Sequence, residues 1–531
     1  MVPTQERVRP CGCLPACSGA AARKDLREYL LTSTLHGLRY IGEGRLTWFE
    51  RVFWLLAFAF SLICASFFIL NIYDKWRSAP MIVSINPRSL LLADLPFPAV
   101  TICNVNQAKK SVAHRYKETG SSKDKKLLQS LCTSNNDTAI FDNSTDNADW
   151  EYFRAFLINV TQPCSEMLDQ CYWNDERQDC QDLFNAQLTD EGLCCTFNVV
   201  HRDMMFRNPK DLYDLNLTFP LPAVDWTPEG GYPPDSPESG FPWRPLGTGT
   251  HHGLTLVLDT NIDEYYCGST SSPGFKILLH NPTETPKIAA YGDIYGPGAE
   301  ARVAVTPRIL DAQPQLQAID RAQRLCVFSS ERNLTFYRTY TQRNCEMECE
   351  AETMLNTCQC VQYFMPKNRS TRVCGKADAE CYSGRTLPGN LSSLDLLLTP
   401  RPSQVTARSR AAAAAAACRR ARRSRTVSAA APRRSATRSS SRTATSARRR
   451  PTTSSRANML VVHFFFEDNS FIRYTKGEIF GLTEFLSNTG GLLGLCMGFS
   501  MMSFIELIYF LTLKALCATI KRKPRPRHFP T

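Results

Sequence analysis

Two long apolar runs dominate the hydrophobic pattern of the chain. Residues 52–72 are uncharged over 21 positions, enough for a helix to cross about 30 Å of hydrocarbon. Residues 485–513 form the second run and contain one charged residue, Glu506, in their inner half. The first run starts too late and is too long for a cleavable signal peptide. Both runs therefore predict transmembrane helices, and the hydrophobic content of 43% excludes a protein with many spans.

The charges that flank the two runs predict the orientation of the chain. Eight of the first 51 residues are Lys or Arg, and Arg39, Arg45 and Arg51 lie closest to the first run. Residues 514–531 are also basic and contain no acidic residue. Because cytoplasmic flanks carry an excess of Lys and Arg, residues 1–51 and 514–531 are predicted to be cytosolic. Residues 73–484 are then extracellular, and the expected location is the plasma membrane, with lipid as the surrounding partner.

Cysteines and glycosylation signals concentrate between the two runs. Fifteen of the 22 cysteines lie between Cys103 and Cys381. The same region holds the Asn-x-Ser/Thr sequons, which are Asn136, Asn143, Asn159, Asn216, Asn333, Asn368 and Asn390. Together they predict an oxidising extracellular compartment and disulfide-bonded cysteines. The alternative is zinc, because Cys358-x-Cys360 and Cys345-x-x-x-Cys349 have ligand-like spacing. No histidine cluster accompanies them, so we predict no metal site.

The region between the spans predicts a mixed α/β domain. Residues 254–259 (LTLVLD) and 275–280 (FKILLH) are short apolar runs typical of strands bounded by Gly and Pro. Residues 233–245 predict a Pro-rich surface loop, and residues 341–360 a short helix that ends in a cysteine-rich segment. The predicted fold class is therefore a membrane protein of the α+β type, with two transmembrane helices and a large disulfide-rich ectodomain.

The net charge of +12 originates in one segment. Residues 401–456 contain 16 arginines and no acidic residue, so the rest of the chain has a net charge of −4. A basic segment often indicates a nucleic-acid partner, but this one lies on the predicted extracellular side, so no nucleic acid is expected. Residues 401–450 also lack aromatic residues, Leu and Gly. Such a composition cannot build a hydrophobic core.

The second apolar run differs in kind from the first. Glycines recur at every fourth position and share one helix face, and these are Gly490, Gly494 and Gly498, with Gly491 beside them. Close helix packing is one interpretation of this face. Ser500, Ser503 and Glu506 form a polar stripe, and an ionisable residue at this depth usually faces a water path. A channel is the second interpretation, and it requires oligomerisation because one helix cannot enclose a pore.

The sequence contains no catalytic motif that we recognise. It has no Gly-x-Ser-x-Gly elbow, no His-Glu-x-x-His, no phosphate loop and no dinucleotide fingerprint. His251 and His252 precede Gly253 in a predicted turn, where surface positions are favoured over ligands. Cys517 follows the second run as a palmitoylation candidate, although an inert cysteine is favoured there. We therefore expect neither an enzyme nor a cofactor.

Several strings resemble those of the degenerin/epithelial sodium channel family. These are His36-Gly37 before the first run, LPFPAVTICN (95–104), RLCVF (324–328), NCEMECE (344–350), TCQCVQYFMP (357–366) and GLTEFLSNTGGLLGLCMGFSMMSFIEL (481–507). GFKILLHNPTETPKIA and SFIRYTKGEIFGLTEFLSNTGGLLGL look most like the insect pickpocket branch. The resemblance covers nearly the whole chain except residues 385–456.

The resemblance implies a trimeric, amiloride-blockable and sodium-selective channel, with sodium as the permeant ion. The second helix of each subunit would line the pore. Gly498-Phe499-Ser500 matches the family's selectivity filter, where carbonyl and hydroxyl oxygens replace part of the ion's hydration shell. Glu506 matches the acid on the cytoplasmic side of this filter, and three copies would form a carboxylate ring.

The resemblance also implies positions that gate or block such a channel. Ser487 matches a small residue at which bulk holds the channel open, and Gly491 matches a position associated with amiloride block. His36-Gly37 matches a cytoplasmic pair required for gating. The trimer could be homomeric or include sibling subunits, and neither the stimulus nor a gating ligand follows from the resemblance.

The resemblance implies disulfides as well. It pairs Cys103 with Cys194, Cys171 with Cys180, Cys358 with Cys381, and Cys360 with Cys374. It leaves open the partners of Cys132, Cys164, Cys195 and Cys267. The family's Cys-x-Cys-x-x-x-Cys motif, which would supply partners for Cys326, Cys345 and Cys349, is replaced by the arginine-rich segment, where only Cys418 stands. We interpret residues 385–456 as a frameshifted or mis-spliced translation.

Other functions compete with a channel subunit. A two-span receptor or adhesion protein without conduction would use the glycines for packing alone. A membrane-tethered ectoenzyme lacks any motif, and a nucleotide-gated trimeric channel would need a phosphate-binding basic cluster that the ectodomain sequence does not offer. Sodium current in cells that express the chain separates the first two functions.

Overall fold

The computed structural model describes residues 26–78, 81–132, 148–210, 218–237, 239–324, 326–375, 378, 381–382, 433–437, 458–479 and 481–513. The chain divides into two compact units, of which unit 1 comprises residues 1–82 and 478–531 and unit 2 comprises residues 83–477. The helices are α1 (26–32), α2 (Leu38–Gly42), α3 (Trp48–Ser78), α4 (Lys110–Thr119), α5 (Ser122–Cys132), α6 (Ala148–Val160), α7 (Cys164–Met167), α8 (Cys180–Leu183), α9 (Arg202–Met205), α10 (Ile288–Tyr291), α11 (Arg321–Arg324), α12 (Gln342–Cys358), α13 (Leu482–Met497) and α14 (Met501–Ile508).

Unit 1 contains the apolar helices. Among the described residues, one helix is straight, long and apolar enough to cross a membrane, over Trp48–Arg77. This α3 helix has 31 residues and extends beyond the predicted span 52–72 at both ends. Its phenylalanines at 60, 67 and 68 are exposed, as expected of a helix in contact with lipid.

The second apolar run does not form one continuous helix. The segments Leu482–Met497 and Met501–Leu513 are long and apolar enough to cross a membrane only when taken together. The chain bends by 79° at their junction. The prediction of a single helix over 485–513 is therefore wrong in its geometry. Trp76 of α3 stacks on Phe485 of α13 with ring centroids 5.3 Å apart, and Tyr40 stacks on Trp54 at 4.5 Å.

The strands lie in unit 2, except that β1 begins and β18 ends in unit 1. They are β1 (Met81–Ile85), β2 (Leu90–Leu91), β3 (Ala99–Asn104), β4 (Asn106–Lys109), β5 (Leu168–Trp173), β6 (Glu176–Gln178), β7 (Phe184–Thr189), β8 (Gly192–Phe197), β9 (Leu254–Asp259), β10 (Tyr265–Gly268), β11 (Phe275–His280), β12 (Asp293–Tyr295), β13 (Glu300–Thr306), β14 (Ile309–Ala312), β15 (Arg433–Thr437), β16 (Met459–Phe466), β17 (Ser470–Phe471) and β18 (Arg473–Glu478). The two predicted strands, 254–259 and 275–280, are β9 and β11.

Two sheets enclose the main core of unit 2. One has the order β12-β11-β3-β8-β7, and the other has the order β15-β13-β16-β9-β5-β6. Along β9 and β16 buried and partly exposed residues alternate, because successive side chains of a strand point to opposite faces. Their buried residues join those of β3, β8 and β11 in one hydrophobic cluster. A third sheet, with the order β1-β18-β14, shares no strand with these two.

Helices form smaller clusters on the same unit. Apolar side chains of α4, α5 and α6, among them Val112, Leu127 and Phe156, pack against one another. The predicted short helix at 341–360 is α12, which begins after Thr341 and runs for 17 residues. Thr341 accepts a hydrogen bond from the N–H of Asn344, a cap that satisfies one free donor of the first turn.

Disulfides connect these elements. The described pairs are Cys103–Cys194, Cys132–Cys267, Cys164–Cys195, Cys171–Cys180, Cys358–Cys381 and Cys360–Cys374. They include the four pairs that the resemblance implies, and they supply partners for the four cysteines left open. Cys358 and Cys360 bind different cysteines, so their short spacing does not form a zinc site.

The three cysteines whose family partners are missing from the sequence differ from one another. Cys326 and Cys345 are buried free thiols. Cys349, by contrast, is disulfide-bonded. Within the arginine-rich segment the structure describes only Arg433–Thr437, which pair as β15 with β13 in antiparallel orientation. The rest of that segment lies outside the described residues, as do Asn136, Asn143, Asn216 and Asn390.

The other three predicted glycosylation sites lie on the surface of unit 2. Asn159, Asn333 and Asn368 are each exposed, as attachment of a glycan requires. The amide oxygen of Asn333 accepts a hydrogen bond of 2.9 Å from the guanidinium of Arg207.

Candidate functional site

The bend in the second apolar run lies at the predicted filter residues. Gly498 follows α13 in the left-handed conformation, with a φ of 65°. Its N–H donates to the carbonyl of Gly494 at 2.8 Å, and the N–H of Phe499 donates to that of Leu493 at 3.3 Å. The bond from Gly498 is that of the αL motif that ends a helix, and it favours glycine because a Cβ is strained at positive φ.

Ser500 starts the next helix immediately afterwards. Its side chain accepts from the N–H of Ser503, and the side chain of Ser503 accepts from the N–H of Ser500 at 3.2 Å. Reciprocal caps of this kind satisfy the free donors of a first turn. A helix end and a helix start are thus separated by three residues, Gly498, Phe499 and Ser500, which belong to neither helix.

The His36-Gly37 pair lies against this break. The N–H of His36 donates to the carbonyl of Met497, the last residue of α13, at 3.0 Å. A Cβ added to Gly498 would lie 2.6 Å from two atoms of the His36 ring, closer than real contacts allow. Gly37 precedes α2 with a φ of 86°, which also favours glycine. The structure therefore brings one predicted gating residue, His36, to the predicted filter, and Gly37 follows it in the chain.

Glu506 is held by the segment that precedes His36. Its carboxylate oxygen Oε2 accepts from the N–H of Thr34 at 3.2 Å and from the Thr34 hydroxyl at 3.1 Å. The same hydroxyl contacts the Ser503 hydroxyl at 2.7 Å, and Ser503 is buried. Thr34 thereby connects the N-terminal segment with α14, and its two bonds to the Glu506 carboxylate are charge-assisted and so stronger than neutral ones.

Ser487 and Gly491 lie elsewhere on α13. Both are exposed in the single chain. A Cβ added to Gly490 or Gly491 would meet nothing within 4 Å, and one added to Gly494 would meet only the carbonyl oxygen of Phe499 at 3.7 Å. The glycine face of α13 is therefore not packed against any part of the chain that the structure describes.

Sequence reasoning missed Thr34 as a site residue and treated Ser503 only as part of a stripe. Thr34 precedes the His-Gly pair by two positions, which is a weak local signal. The helix break could have been read from the sequence, since Gly498 is a helix-stop residue and Ser500-x-x-Ser503 resembles a capping box. The apolar character of the run concealed both signals.

The arrangement can bind and select cations if several copies surround an axis. The carbonyl oxygens of Gly498 and Phe499 and the hydroxyl of Ser500 lie between two helices, and Glu506 adds a carboxylate six residues after Ser500. Oxygen ligands of this kind can replace the water around a small cation. One chain supplies a single set of these ligands and cannot enclose the ion.

Comparison with known proteins gives a family match over most of the chain. A family model described as "Amiloride-sensitive sodium channel" matches residues 29–510. Pickpocket protein 28 of Drosophila melanogaster is 40% identical over 516 residues, covering 96% of this chain and 82% of that protein.

More distant relatives match over similar lengths. Sodium channel protein Nach of Drosophila melanogaster is 24% identical, covering 92% of this chain and 87% of that protein. Acid-sensing ion channel 4 of Rattus norvegicus is 25% identical over 516 residues, covering 94% of this chain and 81% of its own length.

Proposed function

This chain belongs to the amiloride-sensitive sodium channel family, and from that premise we propose that it is a subunit of a trimeric, stimulus-gated, sodium-selective cation channel of the plasma membrane. The observation that carries the proposal is the helix break at Gly498–Ser500, with Glu506 beneath it in the same run. An uncharged helix that merely anchors a receptor has no need of a break, an N-terminal contact or a carboxylate at this depth.

The break supports a filter at Gly498, Phe499 and Ser500. Backbone that leaves a helix within a membrane is tolerated where it lines a water-filled cavity. Three copies of the break would place a ring of oxygen ligands around one axis, and three copies of Glu506 would concentrate cations at its inner end and exclude anions. The permeant ion is the only small ligand that this mechanism requires.

The open glycine face of α13 supports assembly with other subunits. Small residues allow close helix approach in lipid, yet Gly490 and Gly491 meet no described neighbour within their own chain. We assign this face to contact with the second helices of sibling subunits, identical or not, around the pore. Gly491 would then face the pore entrance, where amiloride blocks, and Ser487 would lie one turn nearer the extracellular side.

The contact between the N-terminal segment and the break supports a role in gating. His36 and Gly37 lie on the predicted cytosolic side, as do both termini, and Thr34 bonds to Glu506. Movement of this segment would displace the carboxylate and the filter backbone together. His36, Gly37 and Ser487 are therefore assigned to gating.

The filter assignment is tested by ion selectivity. Ser500→Cys replaces a hydroxyl by a larger and weaker ligand, so the sodium/potassium permeability ratio should fall. Ser66→Cys is the matched control, because Ser66 is exposed on the first span. Whole-cell current in bi-ionic solutions measures the ratio. An unchanged ratio in a conducting Ser500→Cys channel would remove the filter from this residue, and absence of any current despite surface delivery, alone and with sibling subunits, would favour a receptor without conduction.

A further inference from the structure

Unit 2 contains a cleft of about 510 Å³ between its third sheet and two loops. We propose that this cleft binds a small organic cation with an ammonium or amidinium group on an apolar body, and that the stimulus of the channel acts there. The second part of this proposal, that the stimulus acts at the cleft, rests on the proposed function. The volume lies within the range of small-molecule sites, roughly 300–1,000 Å³.

The charges of the lining favour a cation. Asp94, Glu229 and Asp311 contribute three carboxylates, and Arg473 is the one cationic side chain among the described residues that line the cleft. Arg473 already forms an ion pair with Asp311. The carboxylates of Asp94 and Glu229 therefore have no opposite charge within the lining, although both oxygens of Glu229 accept hydrogen bonds from Ser329. A positively charged ligand would supply it; both residues are exposed, so water screens each attraction and the two carboxylates must act together.

The apolar part of the lining favours an organic cation over a metal ion. Leu90, Leu95 and Ile309 line the cleft together with the rings of Trp226 and Phe328. A calcium ion takes six to eight oxygen ligands at short range and has no use for such surfaces. Aromatic faces, by contrast, attract ammonium and guanidinium groups, and aliphatic side chains bury the apolar body of a ligand.

The loop that carries Glu229 is held in place. The N–H of Gly231 donates to the carbonyl of Thr227 at 2.8 Å, and the N–H of Gly230 donates to the Thr227 hydroxyl at 2.9 Å. Glu229 accepts a hydrogen bond from the N–H of Ser329 at 3.1 Å. The loop is thereby tied to the segment that includes Phe328, so this wall of the cleft is preorganised.

The opposite wall leads by chain continuity to both spans. Ile309–Ala312 are β14, which pairs in parallel with β18, and β18 pairs with β1. β18 ends at Glu478, four residues before α13 begins at Leu482, and β1 begins at Met81, three residues after α3 ends at Ser78. A ligand that moves β14 against Arg473 therefore acts on the sheet whose strands continue into the membrane helices.

Binding is tested on the detergent-solubilised full chain with benzamidine as the probe. Benzamide has the same shape without the charge, so it separates charge recognition from shape. Saturation-transfer NMR titration should give a Kd for benzamidine that is about tenfold lower than that for benzamide, equivalent to about 1.4 kcal/mol. Asp94→Asn and Glu229→Gln should each raise the benzamidine Kd by a similar factor.

Matched controls are Asp263→Asn and Glu176→Gln, which change exposed carboxylates outside the cleft. Equal affinity for benzamidine and benzamide, or wild-type affinity in both cleft variants, would overturn the site. Asp94→Lys provides a second test, because its own ammonium should occupy the cleft and abolish benzamidine binding in a chain that elutes as the wild type does.

The assignment of the stimulus to the cleft is tested by recording sodium current in the presence of extracellular benzamidine. The probe should change the current of wild-type channels, and this change should be lost in Asp94→Asn while block by amiloride is retained. Binding without any change of current in conducting cells would overturn the stimulus assignment. If benzamidine binds and the cleft variants weaken this binding, but the chain never conducts, the proposed function is refuted and the binding site is retained.

Discussion

His280 is a buried imidazole with both ring nitrogens engaged. Its Nε2 lies 2.8 Å from the hydroxyl of Thr101, and its Nδ1 lies 3.0 Å from the carbonyl oxygen of Asn281. The carbonyl can only accept, so Nδ1 carries the proton and Nε2 accepts from Thr101. Burial lowers the pKa of His280 to about 4, because a desolvated imidazolium is unfavourable.

This shift predicts a loss of stability in acid. The unfolded histidine binds a proton below a pKa of about 6.5, whereas the folded one does so only near 4. Stability is therefore unaffected above about pH 6.5 and is lost as the pH falls towards about 4, by up to about 1.4 kcal/mol per pH unit. His280→Gln keeps a donor and an acceptor but does not titrate.

The measurement is the apparent unfolding temperature of purified protein at about pH 7.5 and about pH 5. The difference between these two temperatures should be smaller in His280→Gln than in the wild type. His252→Gln, at an exposed position, is the control and should behave as the wild type does. An unchanged pH dependence in His280→Gln would mean that other groups cause it.

Glu348 stabilises a loop through a carboxylate that accepts from three consecutive backbone groups. The N–H groups of Thr335, Phe336 and Tyr337 donate to it at 2.8, 2.5 and 3.0 Å. Burial raises the pKa of Glu348, while these three bonds oppose the rise. The bonds bring the loop that contains Asn333 onto α12, next to the buried thiol of Cys345 on the same helix.

Glu348→Gln should destabilise unit 2. A glutamine offers one carbonyl oxygen, and its NH2 group would face N–H donors, so at least one buried donor loses its partner at a cost of about 1–3 kcal/mol. Glu352→Gln, on the exposed face of the same helix, is the control. Unfolding in denaturant monitors both variants, and equal midpoints would show that the three bonds contribute nothing net.

At the scale of elements, α13 has one face on which the described residues provide no neighbour. Ser487, Gly490 and Gly491 all lie on exposed positions. Trp76 and Phe485 fix the other side of α13 against α3. Ser487 is exposed in the described chain, so under the proposed assembly the effect of a bulky residue at 487 on gating would arise from a neighbouring subunit.

Ser487→Phe should give constitutive, amiloride-sensitive current. If residue 487 packs against another helix only in the closed pore, a bulky side chain there raises the free energy of the closed state. Each increase of about 1.4 kcal/mol changes the open/closed ratio about tenfold. Ser487→Ala keeps the residue small and should gate normally, and Ser66→Phe adds the same bulk to the first span. A silent Ser487→Phe channel with normal surface delivery would contradict the proposed packing.

At the scale of the whole molecule, the thiols of unit 2 are distributed unevenly. Six described disulfides connect sheets and helices, whereas Cys326 and Cys345 remain buried free thiols. A lost bridge costs roughly 2–5 kcal/mol, a large part of a domain's stability of about 5–15 kcal/mol. Free thiols in an oxidising compartment can also pair wrongly.

We therefore predict that the chain as written reaches the cell surface poorly. Replacement of residues 385–456 by a segment with Cys-x-Cys-x-x-x-Cys should give Cys326 and Cys345 partners and full glycan maturation. Surface biotinylation and glycosidase sensitivity compare the two chains, and sequencing of the transcript across codons 385–460 examines the frameshift interpretation directly. In-frame arginine codons, together with efficient delivery and no free thiol at 326 and 345, would refute it.

Much of the architecture follows from local patterns in the sequence. Continuous apolar runs predict spans because a bilayer requires a minimum length of uncharged helix, and β9, β11 and α12 follow from short-range periodicity. The family and its candidate residues follow from short strings. The break at Gly498 was also encoded locally, by a helix-stop glycine followed by a capping serine, but the hydropathy of 485–513 favoured a single helix.

Contacts between distant segments required the tertiary structure. Thr34 and Glu506 are 472 positions apart, and no periodicity relates them. The cleft likewise combines residues from 90 to 473 that share no motif, and its charge emerges only when they lie together. Helix and strand preferences act over a few residues, whereas a site is set by how the whole chain packs. The sequence therefore determined the apolar runs, the strands β9 and β11, the helix α12 and the family, and packing alone decided which side chains meet.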